Sequence, residues 1–391
     1  METRAPLIRV LHLITRTNIG GPSVIVGSLI EDTAHPDIEQ SVIRGSTSIE
    51  EGDYFDQSAL ASKIVTIAPL GRRVRPWDDL RALTLLVRHL KKTKPDVVHT
   101  HMAKAGAIGR VAAFIARVPV RVHTYHGHLL SGYFSPSVTK LIVLVERALR
   151  TITTHVVVVG QQVRRDLITA KVVDEEHSRV INPGITEFEV GSSTQARQGL
   201  GLPAEGVVIA FVGRFAQIKR PDRFVQLARQ LSSERNVHFL MVGDGPLFNE
   251  LRESCASQSN VVFLPWQRDL GQLLAAVDVV VMCSDNEGVP LLLIESGMAA
   301  RPIVTTNVGS VSDVVMDGVN GLLVEREDQG DLTSAVRRLI GDADLRKRLG
   351  ESGRSRVLRD FTVETANSAH AEMYRELVTT ARAGRSARRP H

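Results

Sequence analysis

The chain has 391 residues, too many for one ordinary hydrophobic core, so two domains are the expected organisation. A hydrophobic content of 43% with 23% charged residues is that of a globular chain, and no run approaches the roughly 18 apolar residues that suggest a membrane span. The net charge of +5 suits anionic small molecules or an acidic membrane surface; it falls short of the basic stripe that a nucleic-acid binder concentrates.

The first nine residues mix charges and lack a long apolar stretch, which argues against a signal peptide. Short β-branched runs then alternate with amphipathic stretches. Early strands are predicted at residues 7–15, 96–101, 120–125, 155–159 and 179–181. A second series follows at 207–215, 237–243, 261–265, 277–284, 302–306 and 321–324. Helices are predicted between them, at 221–233 and 331–340 among others. This alternation predicts an α/β fold of parallel sheets covered on both faces. It pauses after Asn182, in a stretch with Gly184, a Ser/Thr/Gln-rich piece and Pro203. The expected domains are therefore 1–183 and 206–361, joined by a linker at 184–205. A last amphipathic helix, within 362–380, follows a finished second sheet. Residues 381–391 carry four arginines with little apolar content and are expected to be a disordered basic tail. The two cysteines, Cys255 and Cys283, lack metal-ligand spacing and point to a reducing, cytoplasmic setting.

Open parallel sheets bind ligands where strands end and helices begin, and four such junctions stand out. The most informative is Ser284-Asp285-Asn286-Glu287-Gly288-Val289-Pro290-Leu291-Leu292-Leu293-Ile294-Glu295. Gly288 makes a turn and Pro290 suits a first helical turn. The N–H groups of Val289 and Leu291 to Leu293 would then meet a diphosphate at the positive end of the helix. Glu287 and Glu295 come out roughly 8–12 Å apart, a spacing that fits two carboxylates on hydroxyls either side of a diphosphate. It fits equally an N-terminal acid plus a solvated helix glutamate. The second junction holds Arg214 and Lys219 before a helix opened by Pro221; two such cations could neutralise a diphosphate without metal, although singly such residues are usually solvated. The third is His123-Thr124-Tyr125-His126-Gly127-His128, where His126 could touch a reacting sugar or be a buried ring with a backbone partner. Its H-x-x-H-x-H spacing lacks a helical frame or a carboxylate, so no metal is expected. The fourth holds Gly20 and Gly21, which allow close backbone approach to a ligand, and Ser23, placed to cap the next helix.

Together the four junctions resemble the retaining glycosyltransferases of the GT-B fold, glycosyltransferase family four, over nearly the whole chain. The resemblance is most specific in the E-x7-E element from Glu287 to Glu295 and the Gly297-Met298-Ala299-Ala300-Arg301-Pro302-Ile303-Val304 that follows it. Gly318-Val319-Asn320-Gly321-Leu322-Leu323-Val324, Val212-Gly213-Arg214 with Lys219, and Pro95-Asp96-Val97-Val98-His99-Thr100-His101 also match. The resemblance implies two Rossmann-like domains facing across a cleft, with the C-terminal helix crossing back to the first. It implies that Arg214 and Lys219 bind the donor diphosphate, that Glu287 holds donor-sugar hydroxyls with the backbone of Gly288, Val289, Pro290 and Leu291, and that Glu295 holds the ribose. His126 would lie against the sugar near its anomeric carbon, and the Gly20 and Gly21 loop would approach phosphates and acceptor. No cofactor is implied beyond the nucleoside-diphosphate sugar itself, a UDP-linked hexose or N-acetylhexosamine by family frequency. The acceptor would be a glycan, a lipid-linked molecule or a small molecule.

The chain departs from the family in three places. Arg220 stands where a glycine usually follows the lysine, Ser310 and Asp313 replace a second glycine and a glutamate, and Pro183 interrupts an asparagine–glycine step. Residues 70–77, with three arginines and Trp77, and the amphipathic 141–149 could rest on an anionic bilayer; a solvated loop and a core helix explain them as well. The D-x-D at Asp342 and Asp344 falls in a helical stretch, a poor metal motif. A sugar-nucleotide 2-epimerase of the same architecture and a non-catalytic sugar-nucleotide-binding subunit are the competing readings. A nicotinamide dehydrogenase is disfavoured because the glycines at 243 and 245 lack the third glycine and the ribose-binding acid.

Overall fold

The β-branched runs assemble into two all-parallel sheets, one in each of the two units into which the chain divides. The structure, a computed structural model, describes residues 6–18, 20–46, 53–55, 60–71, 73–127, 130 and 135–386.

The first unit takes the chain to Gly184 and resumes at Val363. Its strands are β1 (Ile8–Ile14), β2 (Ile38–Arg44), β3 (Ile64–Thr66), β4 (Val97–His101), β5 (Val120–Tyr125), β6 (His155–Val158) and β7 (Ser178–Val180), in the order β3-β2-β1-β4-β5-β6-β7. Its helices are α1 (Gly21–Glu31), α2 (Pro76–Thr93), α3 (Ala103–Ile115), α4 (Pro136–Arg150) and α5 (Gln161–Thr169). On one face Leu86, Leu90, Ala105 and Ala112 pack against Leu11, Leu13 and Val98.

The second unit runs from Ile185 to Thr362. It holds α6 (Ser193–Gly199), β8 (Val207–Val212), α7 (Pro221–Gln230), β9 (Val237–Val242), α8 (Phe248–Ser254), β10 (Val261–Leu264), α9 (Leu270–Ala276), β11 (Val279–Met282), α10 (Leu291–Met298), β12 (Ile303–Thr306), β13 (Leu322–Val324), α11 (Gln329–Gly341) and α12 (Ala343–Asp360). The sheet order is β10-β9-β8-β11-β12-β13. Apart from the half-buried edge strand β10, its strands are mostly buried, so they read as apolar runs. Both cysteines lie buried here as free thiols.

The last helix, α13 (Val363–Ser386), belongs to the first unit. Ala371, Met373, Tyr374 and Val378 cover Ile8, Val10, Val97, Val120 and Val122 on the sheet face opposite α2 and α3.

Three differences from the sequence reading have local causes. Strands β2 and β3 were not expected: β2 reads Ile-Glu-Gln-Ser-Val-Ile-Arg, too polar to look like a strand, and β3 is a three-residue edge. Residues 381–386, expected in a disordered tail, are the end of α13, held on by apolar residues one turn earlier; residues 387–391 lie outside the described residues. The stretch 184–205 forms no strand but contains α6, whose Ala196 and Arg197 are buried in the second unit.

Candidate functional site

In each sheet the chain reverses its order of laying down strands once, and that switch point opens a crevice at the strands' carboxyl ends. In the second unit it falls between β8 and β11. The loops bordering it, 213–220 and 283–290, are two of the four junctions singled out in the sequence.

These loops are cross-braced. The Asp285 N–H donates to the Ile218 carbonyl at 2.9 Å. Lys219 Nζ lies 2.5 Å from Glu287 Oε1, so two residues read separately in the sequence form one ion pair, with the carboxylate the more buried partner. Beside it the Asp285 carboxylate pairs with Arg220 at 3.3 Å and Arg223 at 2.8 Å, and Arg223 Nη1 also donates to the Cys283 carbonyl at 3.0 Å. Arg214 is exposed and makes no side-chain ion pair among the described residues.

Backbone shape explains two departures from the family pattern. Arg220 sits in the left-handed region, φ 50 and ψ 50, where glycine is at ease and another residue costs about 1–3 kcal/mol. Its pairs with Asp222 and Asp285 offset that cost. Gly309 keeps the family's glycine for a steric reason: at φ +54, a Cβ there would sit 1.8 Å from the Glu287 carbonyl oxygen. The next N–H, of Ser310, donates to Gly288 at 3.2 Å, so Ser310 supplies backbone where a second glycine was expected.

Helix α10 starts one residue later than the sequence suggested. Pro290 is its N-cap, and Leu291 and Leu292 supply first-turn N–H groups. Leu293, expected to face a ligand too, instead donates to the Pro290 carbonyl at 3.2 Å. Glu295 stands a turn inside, with no side-chain partner among the described residues, and burial pushes its carboxyl up to about 7.

In the first unit the switch point falls between β1 and β4. Gly20 and Gly21 follow β1: Gly20 is the N-cap of α1 and its carbonyl accepts from the Ser23 and Val24 N–H groups at 3.0 and 3.2 Å. Ser23 does not cap the helix; it lies buried within the first turn and its Oγ has no partner among the described residues.

His126 follows β5, and its Nε2 lies 3.1 Å from His101 Nδ1. Burial pulls the His126 imidazole down to about 3, so the ring is neutral at pH 7. His123 is buried on Thr100 Oγ1 at 2.9 Å, facing away, and His128 lies outside the described residues. The strand end is anchored by the Glu146 carboxylate, which accepts from Tyr125 at 2.6 Å and from the buried Arg110 at 2.7 Å.

Sequence reasoning did not pick out His12, Gln40, His99 or His101 as site residues. The available signal was the polar run in β4: a central parallel strand should be apolar, yet Val97-Val98-His99-Thr100-His101 is wholly buried. His99 and His101, two apart, share a face, and the ladder sets His12 opposite His99. The D-x-D also finds its role here, since Asp342 caps α12 by accepting from the Leu345 N–H.

The chain is similar to known proteins along most of its length. The family model for glycosyl transferases group 1 matches residues 206–342, and that for a glycosyl transferase 4-like domain matches 20–184. A Saccharomonospora viridis D-inositol 3-phosphate glycosyltransferase is 30% identical over 314 residues, 73% of this chain and 71% of its own length. The Escherichia coli UDP-Gal:alpha-D-GlcNAc-diphosphoundecaprenol alpha-1,3-galactosyltransferase is 28% identical over 337 residues, 83% of this chain and 86% of its own. Among solved structures, Anabaena HepE in complex with UDP and glucose superposes with a TM-score of 0.81 at 21% identity, covering 94% of this chain and 100% of that one.

Proposed function

The chain belongs to the glycosyl transferases group 1 family and is a GT-B glycosyltransferase that uses a nucleotide sugar; from that premise we propose that it moves a hexose or N-acetylhexosamine from UDP to a hydroxyl of a lipid-linked acceptor, retaining the anomeric configuration and needing no metal ion.

The observation that carries this reading is the second unit's switch point, where Lys219, Glu287 and the start of α10 share one crevice. A nucleoside diphosphate leaves readily once its growing charge is met by fixed donors, usually the largest catalytic term. Lys219 and Arg214 supply cations, and the Leu291 and Leu292 N–H groups supply the positive helix end. Glu287 takes donor-sugar hydroxyls with Gly288 to Leu291, and Glu295 takes the ribose. In the first unit, Gly20 and Gly21 offer bare backbone to the phosphates and acceptor, and His126 offers a neutral ring to the sugar. The bond between the anomeric carbon and the phosphate oxygen breaks as the bond to the acceptor oxygen forms on the same face. The acceptor's proton passes to the departing phosphate.

UDP is supported by the donor named for the Escherichia coli relative and by the ligand of HepE. Turnover that survives EDTA, with a product of the donor's anomeric configuration by NMR, is the expected result; loss of turnover with EDTA overturns the metal-free scheme.

A lipid-linked acceptor is supported by α4. Val138, Leu141, Leu144 and Val145 line one exposed stripe, with Leu141 60% and Leu144 64% exposed, and Lys140 and Arg147 lie exposed on the same helix. Trp77 and Val74 stand out near Arg73 and Arg75, while Arg72 lies outside the described residues. Among the described residues no helix is long and apolar enough to cross a membrane. The exposed apolar stripe with its flanking cations fits the surface of an anionic bilayer, and we place it on the cytoplasmic face. Co-sedimentation with anionic vesicles at low salt, lost in Leu141→Glu with Leu144→Glu, is expected; equal binding of the variant removes the membrane claim.

A further inference from the structure

The scheme above uses His126 and leaves Gln40, His12, His99 and His101 without a role. Ligand atoms of His12, His99 and His101 lie within 4.8 Å of one another, close enough to raise a metal centre. The hydrogen bonding speaks against one. His99 has both ring nitrogens engaged, Nδ1 with the Tyr374 hydroxyl and Nε2 with Thr124 Oγ1, each at 2.6 Å. His12 and His101 use all four of theirs in a chain that leads elsewhere.

That chain has a direction, and one amide sets it. Gln40 Nε2 lies 2.5 Å from the Leu29 carbonyl, which can only accept, so the Gln40 oxygen faces the other way. That oxygen is 2.9 Å from His12 Nε2, which must carry the proton. A neutral ring has one N–H, so His12 Nδ1 is a lone pair, and it accepts from His101 Nε2 at 3.0 Å. His101 Nδ1 is in turn a lone pair and accepts from His126 Nε2 at 3.1 Å. The chain ends at His126 Nδ1, a buried lone pair with no partner among the described residues. The rings are neutral because burial holds His12 down to about 4, His126 to about 3 and His101 well below its usual value. A buried acceptor left unsatisfied is costly and rare, so this nitrogen calls for a partner.

We propose that Gln40, acting through His12 and His101, holds His126 as its Nε2–H tautomer so that the buried Nδ1 accepts a hydrogen bond from a hydroxyl of the bound sugar. His126 alone touches substrate; Gln40, His12 and His101 are positioning residues, and this assignment rests on the glycosyltransferase reading above. The far end is an amide and not a carboxylate, so nothing in the chain favours a charged imidazolium. His126 therefore acts as an acceptor and takes no proton during turnover. Donating its N–H makes each ring a better acceptor at its other nitrogen, so the bonds strengthen one another toward His126.

The test is nitrogen NMR of the full chain labelled with ¹⁵N-histidine, in which two-bond couplings show which ring nitrogen carries hydrogen. His12, His101 and His126 should all be Nε2–H, and UDP-glucose should perturb the bare Nδ1 of His126 most. The variant Gln40→Met removes the amide that orders the chain; it should populate Nδ1–H on His126 and lower kcat for UDP-glucose hydrolysis about tenfold, the loss of roughly one hydrogen bond. An Nδ1–H signal on His101 or His126 in the unaltered chain overturns the proposal, and that reading needs no variant to fold. If UDP-glucose is turned over but Gln40→Met changes neither tautomer nor kcat, the positioning role falls while the glycosyltransferase reading stands. If the tautomers are as stated but no UDP-sugar is bound or turned over, the UDP-sugar donor assignment falls, and with it the sugar as the partner of Nδ1.

Discussion

The two units answer the same architectural opportunity with opposite chemistry. Each offers a crevice at the switch point of a parallel sheet. The second unit fills its crevice with charge: Lys219 on Glu287, Arg220 and Arg223 on Asp285, and Arg214 exposed alongside. The first fills the core beneath its crevice with neutral rings: His12 and His101 are hydrogen-bonded to each other, His12 also to Gln40, and His99 to Tyr374 and Thr124. Charged groups suit a diphosphate, whose negative charge they meet. Neutral acceptors suit hydroxyl groups, which need direction more than charge. The contrast shows that fold alone does not assign the ligand; the side chains at the switch point do.

The largest expected effect separates the units by pH. His12 and His370 are held down to about 4, His126 to about 3, and His99, His101 and His123 well below their usual value, all by burial in the first unit. Unfolded, each would bind a proton near 6.5. Between that value and the folded one the unfolded chain holds more protons, so stability is complete above pH 6.5 and falls as pH drops. Each histidine then costs up to about 1.4 kcal/mol per pH unit. Hydrogen exchange should show the first unit opening between pH 6.5 and 4 while β8 to β13 stay protected; simultaneous opening of both sheets would break the contrast.

The next effect falls on the charged crevice. Lys219→Ala and Glu287→Ala should each lower kcat/KM by about 10²–10³, the scale for removing one fixed group from a site of developing charge, with unchanged circular dichroism. Near-normal turnover in both would remove the second unit's switch point as the donor site.

The smallest effect sharpens the role of Glu295. Its carboxyl, pushed up to about 7 by burial, is half ionised at neutral pH, and ribose hydroxyls would donate best to the ionised form. UDP affinity by calorimetry should therefore rise severalfold from pH 6 to 8, and Glu295→Gln should flatten that slope. A slope unchanged in the variant would assign the pH dependence to another group.

Much of the second unit was legible in the chain, because apolar runs, turn glycines and helix-opening prolines are local signals. Its strand ends, Gly288, Pro290, Lys219 and Glu287 could all be found that way. Their pairing could not: Lys219 and Glu287 are 68 residues apart, and only the adjacency of β8 and β11 brings them together. Gly309 was visible as a glycine, yet its reason, contact with the Glu287 carbonyl, is tertiary. In the first unit less was legible. Strand β2 is hidden in the sequence because Glu39, Gln40 and Ser41 look like loop residues, yet Gln40 sets the direction of the histidine chain.

What the sequence by itself determined is the alternation of strands and helices, the two-sheet architecture and the charged junctions, since each depends on neighbours within about a dozen residues. What only the tertiary structure decided is which distant polar groups meet: the ion pair at Glu287, the strained Arg220, and the histidine chain from Gln40 to His126. Hydrogen bonds and ion pairs act over about 3 Å, so their partners are fixed by strand order and register, which no single segment encodes.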